Sequence, residues 1–290
     1  MTNAYLPFSF GGLPNGPEDF EAAKVVILPV PYDATVSYRT GTRNGPRAII
    51  DASRNMELYD EERGGELSEI GVYTLGELEP DLKSPEAMTF RVKEAISDIL
   101  RTGKFPVMLG GEHSISVGAV MALKEKYPDL SVLQLDAHSD LRDSYWGTPY
   151  SHASAMRRSL EYAPVTQVGI RSASKEEEEA LKKNADRIFW ARKIRKETGW
   201  VDRMVAGLSK QVFLTIDLDA FDPSIMPSVG TPEPGGLLWH DALDFLRRVC
   251  AEKEVVGFDV VELLPNPNNV APDFLAARLI SKLIGYIHTP

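Results

Sequence analysis

An α/β fold, with a mainly parallel sheet covered by helices on both faces, is what this sequence predicts, and three observations predict it. Apolar runs alternate with helical patterns along the chain. Several runs are continuous Val/Ile/Leu stretches rather than apolar–polar alternations, as strands buried on both faces require. Acidic and histidine side chains gather where those runs end, and in open α/β sheets sites form beyond the carboxyl ends of the strands.

Taken in order, the first strand spans residues 25–31, and a shorter one spans 71–75. A helix over 85–101 starts on Pro85, which suits a first helical position, and stops before Gly103. Strand 105–110, helix 116–126 and strands 130–136 and 165–170 follow. The helix over 175–184 begins in Glu176-Glu-Glu-Glu179, read here as a solvated first turn, where acids suit the helix dipole. A short strand at 188–191, strand 211–217, helix 241–253, strand 255–262 and helix 272–287, opened by Pro272, complete the pattern. No internal repeat, low-complexity tract or long linker divides the chain, so residues 1–290 are expected to form one domain.

Composition excludes several classes of function. The 43% hydrophobic and 26% charged content is that of a globular protein able to bury a sizeable core. No apolar stretch reaches the length of a membrane span, and Met1-Thr-Asn-Ala-Tyr-Leu-Pro lacks the basic start and apolar block of a leader. The lone Cys250 permits no intrachain disulfide and sits in a helical pattern, as a half-buried inert thiol would. A cytoplasmic protein without membrane partners is the expectation. The net charge of −10 argues against a nucleic-acid partner and favours a cationic ligand through long-range steering.

The chemistry concentrates in Leu133-Gln-Leu-Asp136-Ala-His138-Ser-Asp140. In extended backbone, residues two apart point to one side, so Asp136, His138 and Asp140 are expected to converge on one point. Val107-Met-Leu-Gly-Gly-Glu-His113 and Phe213-Leu-Thr-Ile-Asp217-Leu-Asp219 are two more apolar runs that end in ligand-type side chains. A lone Asp-x-His is most often a capped turn. Four aspartates at the ends of buried strands, however, are untenable unless paired or coordinating a metal. Two histidines and four aspartates exceed the needs of one small cation, so a two-metal site is expected. An oxygen-rich set with some imidazole suits manganese better than a thiolate-type zinc site does. His240 and His288 lack such company and read as an ordinary helix-entry and an ordinary C-terminal residue.

Further motifs complete a resemblance. Arg39-Thr-Gly-Thr-Arg-Asn-Gly-Pro46, Gly110-Gly-Glu-His113-Ser, Asp136-Ala-His-Ser-Asp140, Ser151-His152-Ala, Asp217-Leu-Asp219-Ala-Phe-Asp-Pro223, Gly230-Thr-Pro-Glu-Pro-Gly-Gly236 and Asp259-Val-Val-Glu262 follow one another along nearly the whole chain. In this order and spacing the chain resembles the ureohydrolase family, and within it the agmatinases. The resemblance implies a three-layer α/β/α fold with an eight-stranded, mainly parallel sheet, two Mn2+ per subunit and a homotrimer or homohexamer. It implies that His113, Asp136, Asp140 and Asp217 hold one manganese and that His138, Asp136, Asp217 and Asp219 hold the other. It also implies that Glu262 holds the substrate guanidinium, that Asp140 relays a proton to the leaving amine, and that His152 shuttles protons between bulk water and the site.

The implied substrate is a small cationic guanidino compound. Arginases of the family place an Asn two residues after the Asp-x-His-x-Asp motif and an Asp after Gly-Leu-Arg; this chain has Arg142 and Ser172 there. A serine offers no salt bridge to an α-ammonium group, so agmatine, cleaved to urea and putrescine, is the expected substrate. Two departures bear on the substrate tail. Leu263-Leu-Pro-Asn-Pro-Asn-Asn-Val replaces a Pro-Pro-Tyr-Asp type of segment, and the aromatic loop 142–150 either lines a channel for a longer tail, as in aminopropylagmatine, or packs at a subunit contact. Guanidinobutyrate and arginine are the other substrates in view. From other classes come a catalytically silent binding protein on the same fold and a related one-zinc amide hydrolase, against both of which the complete ligand set argues.

Overall fold

Strand and helix alternate from the first described residues onward in a computed structural model that describes residues 6–289. The start of the segment read above as lacking a leader block, residues 1–5, lies outside the described residues, as does Pro290. In chain order, α1 (Pro17–Ala22) leads into β1 (Val25–Val30), and α2 (Gly45–Ser53) precedes an antiparallel hairpin of β2 (Tyr59–Asp60) and β3 (Gly65–Glu66). Next come β4 (Val72–Thr74), α3 (Pro85–Arg101), β5 (Phe105–Gly110), α4 (Ser116–Lys126), β6 (Leu130–Leu135), α5 (Ala155–Ser159) and β7 (Val165–Ile170). The remainder is α6 (Glu178–Lys183), β8 (Ile188–Trp190), α7 (Ala191–Ile194), α8 (Trp200–Gly207), β9 (Gln211–Asp217), α9 (Trp239–Glu252), β10 (Glu254–Val261) and α10 (Ala271–His288).

The main sheet has eight strands in the order β4-β1-β5-β10-β9-β6-β7-β8. Every pairing in it is parallel. Alternate residues of each strand feed opposite faces: β1 sends Val25 and Ile27 into one core and Val26, Leu28 and Val30 into the other. The first core is closed by α2, α8, α9 and α10, through Ile49, Met204, Leu246 and Ile280 among others. The second is closed by α3 and α4, through Val92, Ile96, Val120 and Leu123. This is the expected three-layer α/β/α architecture. Among the described residues, no helix is long and apolar enough to cross a membrane.

Helix starts follow local chemistry. Ser84 accepts a hydrogen bond from the Ala87 amide at 3.1 Å ahead of Pro85, and Gly103, at φ 78°, ends the same helix. The elements that periodicity did not predict are short: α1, α2, α5, α7, α8 and the β2–β3 hairpin. Helices of six to nine residues are marginal alone and depend on tertiary burial, which α2 obtains by burying Ile49 and Ile50.

Candidate metal centre

Four neighbouring strands at the centre of the sheet, β5, β10, β9 and β6, point their carboxyl ends at one place. Beyond β5 stand Gly111, Glu112 and His113; beyond β6, Asp136, His138 and Asp140; at the end of β9 and in the turn after it, Asp217 and Asp219; beyond β10, Glu262. Gly111 is required where it is, because a Cβ there would lie 1.8 Å from the Tyr32 carbonyl oxygen. Its own carbonyl accepts the Glu262 amide at 2.8 Å, and the Glu262 carboxylate accepts the His113 amide at 2.7 Å. Asp140 (φ 50°) and Glu262 (φ 66°) hold left-handed backbone conformations that cost a non-glycine residue energy.

The side chains form two groups that share Asp136. His113 Nδ1 lies 3.1 Å from Asp136 Oδ2, 3.1 Å from Asp140 Oδ2 and 3.5 Å from Asp217 Oδ2. His138 Nδ1 lies 2.8 Å from Asp219 Oδ2 and 3.6 Å from Asp136 Oδ1. The three-residue motif thus serves two points rather than the single point that extended backbone predicts. His138 keeps an extended pairing with Ser172, but the chain turns at Asp140 and carries that carboxylate to the His113 side.

Neighbouring groups fix these orientations. His113 Nε2 meets Thr215 Oγ1 at 2.8 Å, which leaves Nδ1 for the carboxylates. Asp136 accepts the Gln134 side-chain amide at 2.6 Å, Asp219 accepts the Ala137 amide at 2.9 Å, and Asp217 accepts the Asp219 amide at 2.9 Å. Glu176, Glu178 and Glu179 are exposed, as a solvated turn requires, but Glu177 is the exception. It is buried and accepts from the Ser139 hydroxyl (2.6 Å), the Leu141 amide (2.8 Å) and the Ser174 amide (2.6 Å), so it pins the backbone on both sides of Asp140.

Electrostatics mark the cluster as a site for positive charge. Burial, with the Asp219 and Asp136 carboxylates close by, pushes Asp217 far above the usual carboxylate range. Burial and Asp136 push Asp140 up to about 7, and burial and Glu112 push Glu262 up. Burial alone would lower both imidazoles, but the surrounding carboxylates outweigh it, raising His113 strongly and His138 to about 12. So many buried carboxylates do not ionise together without cations between them. His113 Nδ1 is buried with no hydrogen-bond partner, and every donor atom in the cluster is a carboxylate oxygen or an imidazole nitrogen. The residues fit hard divalent cations, manganese included.

The cluster forms the floor of a cavity of about 240 Å³ whose lining includes Tyr38, Arg142, Tyr145, His152 and Ser172. His152 comes from a turn rather than a strand end. Its amide donates to Thr35 Oγ1 at 3.0 Å, its Nδ1 faces the same oxygen at 3.3 Å, and burial pushes its pKa down to about 4. The structure therefore brings seven of the eight sequence-predicted residues to the lining of one cavity, and the eighth, Asp136, is fully buried against His113 and His138. At the rim, Arg142 pairs with Glu176 at 2.7 Å and stacks 4.7 Å above the Tyr145 ring, with exposed Trp146 stacked on Tyr145. Arg43 of the glycine-rich motif reaches back to buried Asp33 rather than into the cavity, bracing the loop that carries Thr35. Thr35, Glu112, Gln134, Glu177 and Thr215 were not singled out in the sequence.

Comparison with known proteins gives consistent findings. The model of the Arginase family matches residues 23–285. The chain is 42% identical over 272 residues to the N(1)-aminopropylagmatine ureohydrolase of Synechocystis sp., covering 91% of this chain and 89% of the relative. It is 41% identical over 267 residues to the protein of that name from Thermus thermophilus, covering 92% and 91%. The crystal structure of agmatine ureohydrolase of Thermoplasma volcanium superposes with a TM-score of 0.89 at 35% identity, covering 99% of this chain and 96% of that one.

Proposed function

The chain belongs to the arginase family as a ureohydrolase, and from that premise we propose that it hydrolyses N1-aminopropylagmatine to urea and a triamine. The observation that carries the reaction is the floor of the cavity, where two carboxylate–imidazole groups sharing Asp136 lie beside Glu262. The relatives from Synechocystis and Thermus favour the longer tail over the agmatine expected from sequence. Agmatine is the second reading, favoured by the Thermoplasma structure, and it presents the same guanidinium end.

In this proposal His113, Asp136, Asp140 and Asp217 hold one Mn2+ and His138, Asp136, Asp217 and Asp219 the other. Bound there, the cations would supply the Lewis acidity that makes water a competent nucleophile at neutral pH. The residues of the chain do the rest. Glu262 receives the planar guanidinium by charge-assisted hydrogen bonds, and its amide bond to Gly111 and its bond from the His113 amide hold it still. Water oxygen bonds to the guanidinium carbon, and the bond from that carbon to the tail nitrogen breaks. Both water protons finish on that nitrogen, which leaves as an ammonium group. Asp140 carries a proton towards it, and His152 exchanges protons between the cavity and solvent. At the rim, exposed Trp146 offers an aromatic face to a cationic polyamine tail, the Tyr145 ring being covered by Arg142 and Trp146.

Urea release from aminopropylagmatine by manganese-loaded protein tests the proposal, with Glu262→Gln expected to lower kcat/KM by about a hundredfold or more. Undiminished turnover in Glu262→Gln would remove the guanidinium contact from the account.

A further inference from the structure

We infer that Thr35 is a positioning residue that fixes His152 as the tautomer protonated on Nδ1, leaving Nε2 as the ring atom that takes up a proton in the cavity. The inference rests on the reading of His152 as the proton carrier. It follows from counting donors and acceptors around one hydroxyl.

Thr35 Oγ1 has one hydrogen and two lone pairs. The hydrogen is committed to Glu112, whose carboxylate also accepts the Thr35 amide at 2.6 Å, so that the two residues meet through two parallel bonds. Ser114 donates to the same carboxylate. Three donors converge on fully buried Glu112, which is the geometry of an acceptor and commits the Thr35 hydrogen to it.

Only lone pairs are left to face His152. One accepts the His152 amide at 3.0 Å, and the other stands 3.3 Å from His152 Nδ1. A lone pair facing a ring nitrogen is satisfied only if that nitrogen carries the proton. In the neutral ring Nε2 is then the free base, on a residue that lines the cavity. Tyr145 meets the ring edge-on at 5.9 Å and limits its rotation. Thr35 is itself buried on a loop braced by the Asp33–Arg43 pair.

The test uses manganese-loaded enzyme carrying Thr35→Val, Thr35→Ser, His152→Ala and the Thr35→Val/His152→Ala double substitution. Thr35→Val is expected to lower kcat about tenfold or more with KM within about threefold, a share of the 10²–10⁴ typical of a positioned acid–base group. Thr35→Ser, which keeps the hydroxyl, should recover kcat to within about threefold. In the His152→Ala background Thr35→Val should cost nothing further, because its effect passes through the ring. An equal loss in that background would overturn the inference and make Thr35 merely structural.

A readout independent of turnover is the 15N spectrum of histidine-labelled, zinc-loaded protein, with the His152 signals identified by their loss in His152→Ala. A proton on Nδ1 in the unsubstituted protein is the expected result, and a proton on Nε2 overturns the inference. The reading beneath it fails separately, if the unsubstituted enzyme releases no urea or His152→Ala keeps full kcat. The tautomer is decided in either case.

Discussion

Ser139 donates its hydroxyl to the carboxylate of Glu177 at 2.6 Å, with both side chains buried. This bond ties the segment between His138 and Asp140 to the start of a helix 38 positions further on. The Leu141 amide bonds to the same oxygen, so one carboxylate holds Asp140 in its left-handed turn.

Removing that anchor should loosen Asp140 without touching a proposed ligand. Glu177→Ala leaves two buried donors unpaired, at about 1–3 kcal/mol each. The expected result is a lower Tm together with manganese affinity reduced about 10–100-fold, as for groups that orient metal ligands. Calorimetric titration of Mn2+ checks it, and unchanged affinity would contradict the role.

Asp140→Asn keeps the shape and removes the group that carries a proton. It should lower kcat by about 10²–10⁴ with circular dichroism unchanged, and kcat measured at saturating manganese checks it. An active variant would show that the leaving nitrogen gets its proton elsewhere.

Metal stoichiometry should separate the two groups. His113→Ala is expected to lose one cation preferentially, whereas Asp136→Ala, whose two oxygens face different imidazoles, should disturb both. Bound manganese per subunit by atomic absorption decides this, and full activity with a single equivalent would contradict the two-metal reading.

Stability should depend on pH through Lys282, a buried lysine that contacts Asp60 at 3.0 Å and Glu61 at 3.1 Å. Burial works against ionised Asp60, but the Lys282 hydrogen bond and the Arg63 and Glu62 amides outweigh it, so its pKa is depressed. Burial likewise works against charged Lys282, yet bonds to Asp60 and Glu61 raise it. The depressed acid stabilises above its unfolded pKa of about 3.9, and this is lost as pH falls through the lower folded value. The raised lysine stabilises below about 10.4, and this is lost as pH rises through the higher folded value. Lys282→Ala should cost about 3–5 kcal/mol at neutral pH by stranding Asp60, and it should flatten both limbs of the Tm–pH curve.

The sheet and the positions of the carboxylate–imidazole cluster were legible in the sequence because, Asp259 inside β10 apart, continuous apolar runs break into Asp and His where a strand leaves the core. Asp136, Asp217 and Glu262 stand at such breaks. Glu177 was not legible, since four consecutive glutamates look alike until the fold decides which one turns inward. Thr35 and Thr215 act through single hydroxyls that leave no pattern. His152 was reached only by resemblance, because it sits in a turn. Asp140 joins the cluster by a route other than the expected one: the two-residue alternation ends at its positive φ.

The most direct measurement is steady-state urea release from aminopropylagmatine, agmatine and arginine at saturating manganese. Arginine adds an α-carboxylate to agmatine. Of the two arginines that line the cavity, Arg142 is already paired with Glu176 and stacked on Tyr145, and Arg39 is exposed to solvent, where an ion pair is worth at most about 1 kcal/mol. A carboxylate left unpaired near an acidic cavity should cost at least about 3 kcal/mol, roughly a hundredfold in kcat/KM. The account predicts aminopropylagmatine first, agmatine next and arginine lower by about that factor or more. Comparable turnover of arginine would contradict it.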